Sequence, residues 1–172
     1  MAANELNMVL KLKPEHLDAI HGHAAAEYPN ECCGALLGRL DGASKQVAEV
    51  APLSNLRHDA ARAEELIPLM QPGRESERNR YLIDPGEQIR VEKDARARAL
   101  CVLGYYHSHP DHPAFPSEYD REHAWPWYSY VIVSVEAGTP RDTRSWVLAD
   151  DRSRFDAETV DCSAAMISAR EA

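Results

Sequence analysis

Three short apolar runs in the second half of the chain limit most strongly what it can fold into. They read "LCVLGYY" at 100–106, "YSYVIVSVE" at 128–136 and "RSWVLA" at 144–149. Runs of this length, rich in branched and aromatic residues, are typical of strands buried inside a sheet. The sequence therefore predicts a β-sheet at the centre of the fold.

Two helices and a hairpin are predicted around this sheet. Apolar residues at helical spacing indicate a helix over 14–28, which Pro29 ends. A second helix is expected over 85–99, with Asp84 as its N-terminal cap. Between them, the segment 32–53 carries two apolar runs around an Asp-Gly turn, the pattern of a β-hairpin.

Two segments show no sustained period. Residues 54–80 are charged and contain Pro68, Pro72 and Gly73, which predicts a long loop with room for one short helix. Such a loop is either functional, for example in holding a substrate, or a plain solvated insertion. Residues 151–172 are polar and rich in alanine, which indicates a terminal helix or a frayed tail.

Composition excludes several classes of protein. The 172 residues suit one domain, and a net charge of −9 disfavours a nucleic-acid partner, because phosphate binding depends on Lys and Arg. No run of eighteen apolar residues and no basic-then-apolar leader is present, so we expect no membrane association and a cytoplasmic location. The four cysteines form no C-x-x-C pair and predict no cysteine-ligated zinc.

A group of metal-binding residues follows the first of the apolar runs. Because strand side chains alternate between faces, His107 and His109 project to the same side. Ser117 is suited to cap the next helix, whose first turn would bring Asp120 back over the histidines. Two nitrogens and one oxygen leave a fourth tetrahedral position for water, as catalytic zinc sites require.

Each half of this pattern also has a plain structural interpretation. Nearby histidines are often ordinary core or surface residues, and Ser-x-x-Asp is a common helix start. The compound spacing His-x-His, seven residues, Ser, two residues, Asp, placed after a buried strand, favours a metal site. Trp125, Trp127 and Trp146 are expected to be core residues.

The chain resembles the JAMM or MPN-plus zinc metalloproteases, also called JAB-domain proteins, in their short bacterial form. The family motif H-x-H-x(7)-S-x(2)-D is matched at His107, His109, Ser117 and Asp120, and "NECCGALLG" supplies the upstream Glu as Glu31. The resemblance covers about 5–150 and implies an α/β fold, a three-layer αβα sandwich with a central mixed β-sheet, related to cytidine deaminases. Residues 151–172 would lie outside that catalytic domain.

The resemblance also implies a function. It predicts one Zn²⁺ per chain, held by the two histidines and Asp120, and hydrolysis after the C-terminal tail of a ubiquitin-like or sulfur-carrier protein, with an E1-like enzyme as a possible pathway partner. Glu31 would act as general acid–base. Without the family match, the nearby Glu27 would be a competing carboxylate for this role. Ser117 would either donate to the oxyanion or only cap the helix.

Two other functions stay open. Zinc-less MPN relatives act as scaffolds, and a DNA-repair-associated relative carries a similar histidine pattern. The complete ligand set argues against the first, and the acidic charge argues against the second.

Overall fold

The computed structural model describes residues 8–58 and 81–163. Its elements follow in chain order: β1 Val9–Lys11, α1 Pro14–Glu27, β2 Cys33–Asp41, β3 Ser44–Leu53, a short 3₁₀ turn Leu56–His58, α2 Pro85–Ala97, β4 Cys101–Pro110, α3 Glu118–His123, β5 Ser129–Glu136, β6 Thr139–Leu148 and β7 Phe155–Asp161.

The predicted helices and hairpin are confirmed. Helix α1 starts at Pro14, whose missing N–H costs nothing in a first turn. Helix α2 is capped by Asp84, whose side chain accepts a hydrogen bond from the Gly86 N–H at 2.8 Å. The hairpin turns at Gly42, which has a φ of 57° that glycine adopts without strain.

The sheet is mixed, with the strand order β1-β3-β2-β4-β5-β6-β7. Strand β4 lies in the middle of that order, antiparallel to β2 and parallel to β5. Strand β1 pairs in parallel with both β3 and β7, so the strands close into a barrel. A central mixed sheet within a three-layer αβα sandwich was expected. The sheet is mixed as expected, and its closure through β1 was not part of that expectation.

Helices pack on opposite faces of strand β2. Because alternate side chains of a strand face opposite ways, Leu36 and Leu37 belong to different cores. Leu36 packs in the core that contains Ile20 and Ala24 of α1. Leu37 packs in the core that contains Ala95 of α2. The central strands are thereby covered on both sides, as the apolar runs predicted.

The expectation of a terminal helix or frayed tail over 151–172 is wrong for its first part. Residues Phe155–Asp161 form β7, which pairs antiparallel with β6 and parallel with β1. Its largely polar sequence "FDAETVD" gave little sign of a strand, and it is one because β6 and β1 pair with it. Residues 164–172 lie outside the described part.

A buried ion pair ties β7 to β3. The Nζ atom of Lys45 lies 3.5 Å from Glu158 Oε1, and the two side chains are 1% and 2% exposed. Ser129 and Ser145 donate hydrogen bonds to the Glu158 carboxylate at 2.9 and 2.6 Å. Lys45 also donates to the Trp127 carbonyl oxygen. Both buried charges are thus paired and hydrogen-bonded, as buried charges must be.

Three further expectations concern the loop after β3, the tryptophan residues and membrane association. Residues 59–80, most of the predicted loop, lie outside the described residues. Trp125 and Trp127 were expected in the core and are 67% and 42% exposed, so that prediction is wrong for both. Over 8–58 and 81–163, no helix is long and apolar enough to cross a membrane.

Candidate metal centre

His107 and His109 lie within β4, near its carboxyl end, and face the same side as predicted. Their Nε2 atoms are 3.0 Å apart. The strand continues beyond the apolar run through both residues and ends at Pro110. A buried central strand therefore fixes both imidazoles.

Asp120 completes the group from the first turn of α3. Its Oδ1 is 3.3 Å from His107 Nε2, and its Oδ2 is 3.7 Å from His109 Nε2. Ser117 forms the predicted cap: its Oγ donates to Asp120 Oδ2 at 2.7 Å and accepts from the Asp120 N–H at 3.2 Å. The Ser117 N–H also donates to Asp120 Oδ2, at 2.6 Å. The cap thus orients the carboxylate towards the histidines.

The spacing of these donors fits a metal ion. His107, His109 and Asp120 each offer one donor atom, and these atoms lie within 4.8 Å of one another. Bonds of about 2.0–2.1 Å to a tetrahedral zinc would set its donors about 3.3 Å apart. The observed separations of 3.0 to 3.7 Å bracket that value. The group could therefore hold a metal.

The hydrogen bond of His109 suits a metal ligand. His109 Nδ1 lies 3.0 Å from the Pro113 carbonyl oxygen, which can only accept, so Nδ1 carries the proton and Nε2 keeps its lone pair. Burial lowers the pKa of His107, although Asp120 opposes it. Burial lowers the pKa of His109 as well, but hydrogen bonds to Asp120 and Pro113 outweigh it and the net pKa is raised.

Asp120 remains ionised in this setting. Burial alone would raise the pKa of its carboxyl group, but His107, His109 and Ser117 outweigh burial and hold it well below its usual range. The group therefore offers an anionic oxygen beside two imidazole nitrogens, without sulfur. Such a ligand set is typical of catalytic rather than structural zinc sites.

Glu31 lines the same cavity as the metal-binding group. This cavity, of about 370 Å³, is bordered by Glu31, His109, Pro110, His112, Pro113, Phe115, Ser117, Tyr119 and Asp120. Glu27, the competing carboxylate, sits at the end of α1 and is not among these residues. The geometry thus brings Glu31 and Ser117 together with two of the three candidate ligands.

Sequence reasoning missed two residues beside the site. The ring of Tyr81 stacks on His107, with ring centroids 4.6 Å apart at 28°. Asn55, just after β3, donates to the Glu31 carbonyl oxygen at 2.9 Å. Both residues lie at the ends of the predicted loop, where the sequence shows no helical or strand periodicity. The one sequence signal was the polar amide of Asn55, two residues after the end of β3.

Comparison with known proteins places this site in a family. Residues 13–149, which include Glu31 and the His-His-Asp group, match the model of the prokaryotic homologs of the JAB domain. The chain belongs to this family. The predicted resemblance is thereby confirmed.

Relatives of this prokaryotic JAB protein include a desampylase and a peptidase. It is 30% identical to a desampylase from Haloferax volcanii over 137 residues, which cover 79% of the chain and 85% of the relative. It is 28% identical to the CysO-cysteine peptidase of Mycobacterium tuberculosis over 83% of the chain and 84% of that protein. A solution structure from Desulfitobacterium hafniense is 31% identical with a TM-score of 0.69, covering 91% of the chain and 93% of that structure.

Proposed function

We propose that this JAB protein is a zinc-dependent hydrolase that cleaves a peptide or isopeptide bond after the C-terminal tail of a ubiquitin-like or sulfur-carrier protein. The observation that carries this proposal is the His-His-Asp group, of which His109 and Asp120 line one cavity together with Glu31. The kinship with a desampylase and a CysO-cysteine peptidase supports the substrate class. A cytoplasmic location and an E1-like pathway partner belong to the same proposal.

Zinc is the metal that suits these donors. His107, His109 and Asp120 would hold it through the two Nε2 atoms and one carboxylate oxygen. When bound, zinc supplies an activated water near neutral pH and polarises the scissile carbonyl. The three side chains are largely buried, at 1%, 11% and 6% exposed, so the packing around them holds the donors in place.

Glu31 would move the protons. Its carboxylate, on the wall of the cavity, takes a proton from the attacking water and delivers one to the departing amine. Ser108, the residue between the two histidines, is fully buried and accepts a hydrogen bond from the Cys32 N–H at 2.9 Å. Ser108 therefore faces away from the cavity and is no nucleophile.

The two alternative functions are less well supported. A scaffold would not need a complete ligand set with a carboxylate beside it. A nucleic-acid partner would meet a chain with a net charge of −9. Both alternatives predict a protein that cleaves no tail.

The proposal is tested by metal-dependent cleavage. The purified protein, loaded with zinc, is assayed on CysO–cysteine and on a peptide ending in Gly-Gly joined to a fluorogenic amine. We expect about one zinc per chain, loss of cleavage after chelation, and recovery when zinc returns. Full activity in metal-free protein, or no cleavage of either probe by the zinc-loaded form, would refute the proposal.

Ser117 is proposed to donate to the oxyanion as well as to cap α3. Its hydroxyl, now bonded to Asp120, must change partner during the reaction. Ser117→Ala is expected to lower kcat by about 10²- to 10³-fold, the usual cost of losing one such donor, without loss of zinc. Ser117→Thr, which keeps a hydroxyl, is the control. Activity that falls only in step with zinc content would assign Ser117 to the cap alone.

A further inference from the structure

The peptide unit that links Glu31 to Cys32 is held at both of its edges. On one edge the Glu31 carbonyl oxygen accepts from Asn55 Nδ2 at 2.9 Å. On the other edge the Cys32 N–H donates to Ser108 Oγ at 2.9 Å. Because a peptide unit is planar and stiff, two such bonds fix the position from which the Glu31 side chain leaves the backbone.

The amide of Asn55 is itself fixed in orientation. Its Oδ1 accepts from the N–H groups of Leu82 and Arg57, at 3.0 and 3.1 Å. These two donors leave Nδ2 facing the Glu31 carbonyl. The backbone of Asn55 also pairs with that of Ile83 in an isolated antiparallel β-bridge. Asn55 thus joins the end of β3 to the chain that leads into α2.

This arrangement connects Glu31 to the metal-binding group by two routes. Ser108 lies between His107 and His109 in β4. Asn55 binds the Leu82 N–H, and the neighbouring residue Tyr81 stacks on the His107 ring. The position of the Glu31 backbone relative to the two histidines is therefore fixed by two sets of contacts, one through Ser108 in β4 and one through Asn55.

We propose that Asn55 is a positioning residue that sets the distance between the Glu31 carboxylate and the metal-binding group. The proposal rests on the proposed function, in which Glu31 is the general acid–base. A Glu side chain is flexible, so its backbone anchor decides where its carboxylate can reach. A misplacement of about 1 Å can lower a rate by roughly 10²-fold, which makes the anchor important for turnover.

Asn55→Asp tests this role without changing side-chain shape. The carboxylate can still accept from Leu82 and Arg57, but it sets an oxygen against the Glu31 carbonyl in place of a donor. We expect kcat on the Gly-Gly probe to fall by about 10- to 100-fold, the usual cost of losing an outer partner. Zinc content and KM should stay unchanged. Asn30→Asp adds the same charge at an exposed position beside Glu31 and should keep the wild-type kcat.

A double-mutant cycle with Ser108→Ala gives a second measurement. Ser108→Ala releases the other edge of the same peptide, so each single change should lower kcat, and together they should cost less than the product of the two effects. Ser108→Ala by itself measures how far kcat depends on fixing this peptide unit, and this measurement does not need a folded Asn55 variant.

Two outcomes separate this inference from the proposed function. If Glu31→Gln is inactive while folded Asn55→Asp turns over at the wild-type kcat, or loses activity only together with zinc, the positioning role of Asn55 is wrong and the proposed function stands. If wild-type protein cleaves neither probe, the proposed function itself fails. If Glu31→Gln cleaves normally, the assignment of Glu31 as general acid–base fails, and the positioning role of Asn55 fails with it.

Discussion

Glu31→Gln should keep its zinc and lose about 10²- to 10⁴-fold in kcat, the range that general acid–base catalysis contributes. Glutamine has nearly the same shape as glutamate but cannot accept a proton at neutral pH. Glu31 is not one of the three candidate ligands, so metal content should not change. The measurement is kcat on the Gly-Gly probe, with zinc determined in the same samples.

Glu27→Gln is the matched control for this prediction. It makes the same chemical change four positions earlier, at the end of α1 and away from the cavity-lining residues. Its kcat should equal that of the wild type. If Glu27→Gln is inactive and Glu31→Gln is active, Glu27 is the general base and Glu31 is not. If both variants are active, neither carboxylate is the general base.

Glu158→Ala is expected to lower the free energy of unfolding by about 3–5 kcal/mol, because removing one partner of a buried ion pair leaves the other charge uncompensated. The stranded charge is Lys45, which is 1% exposed. Burial already lowers the pKa of Lys45, although Glu158 counteracts it. Urea unfolding would measure the change as a lower midpoint.

Two companions sharpen the stability test. Glu136→Ala removes one side of an exposed ion pair with Arg141, and it should move the midpoint far less, because water screens exposed charges. The double change Lys45→Met with Glu158→Leu removes both buried charges and should recover much of the loss. A Glu158→Ala midpoint equal to that of Glu136→Ala would mean that the buried pair does not hold β7.

The sequence was most informative where chemistry is local. Two histidines two residues apart on a strand, and an Asp one helical turn after a Ser cap, lie within fourteen positions, from His107 to Asp120. Alternation and helix periodicity alone bring them onto one side. The structure places these three side chains together as expected. The roles of Glu31 and Ser117 remain predictions until the variants are measured.

Contacts between distant parts of the chain could not be read in the same way. Strand β7 is paired on one side with β1, where Val9 faces Thr159, and nothing in its polar sequence records that distant partner. A single sequence carries no signal for such pairings, since they depend on the tertiary arrangement and not on local periodicity.

The closure of the sheet through β1 matters for re-engineering the chain. Val9 pairs with Thr159 and Lys11 with Asp161, so the first and last described strands run side by side. Because the two strands are parallel, a covalent linker from the end of β7 to the start of β1 would have to run back along the strands and also cross one strand spacing of roughly 4.8 Å. Circular permutation with new ends at the Gly42 turn would then leave every candidate metal ligand on an unbroken stretch of polypeptide.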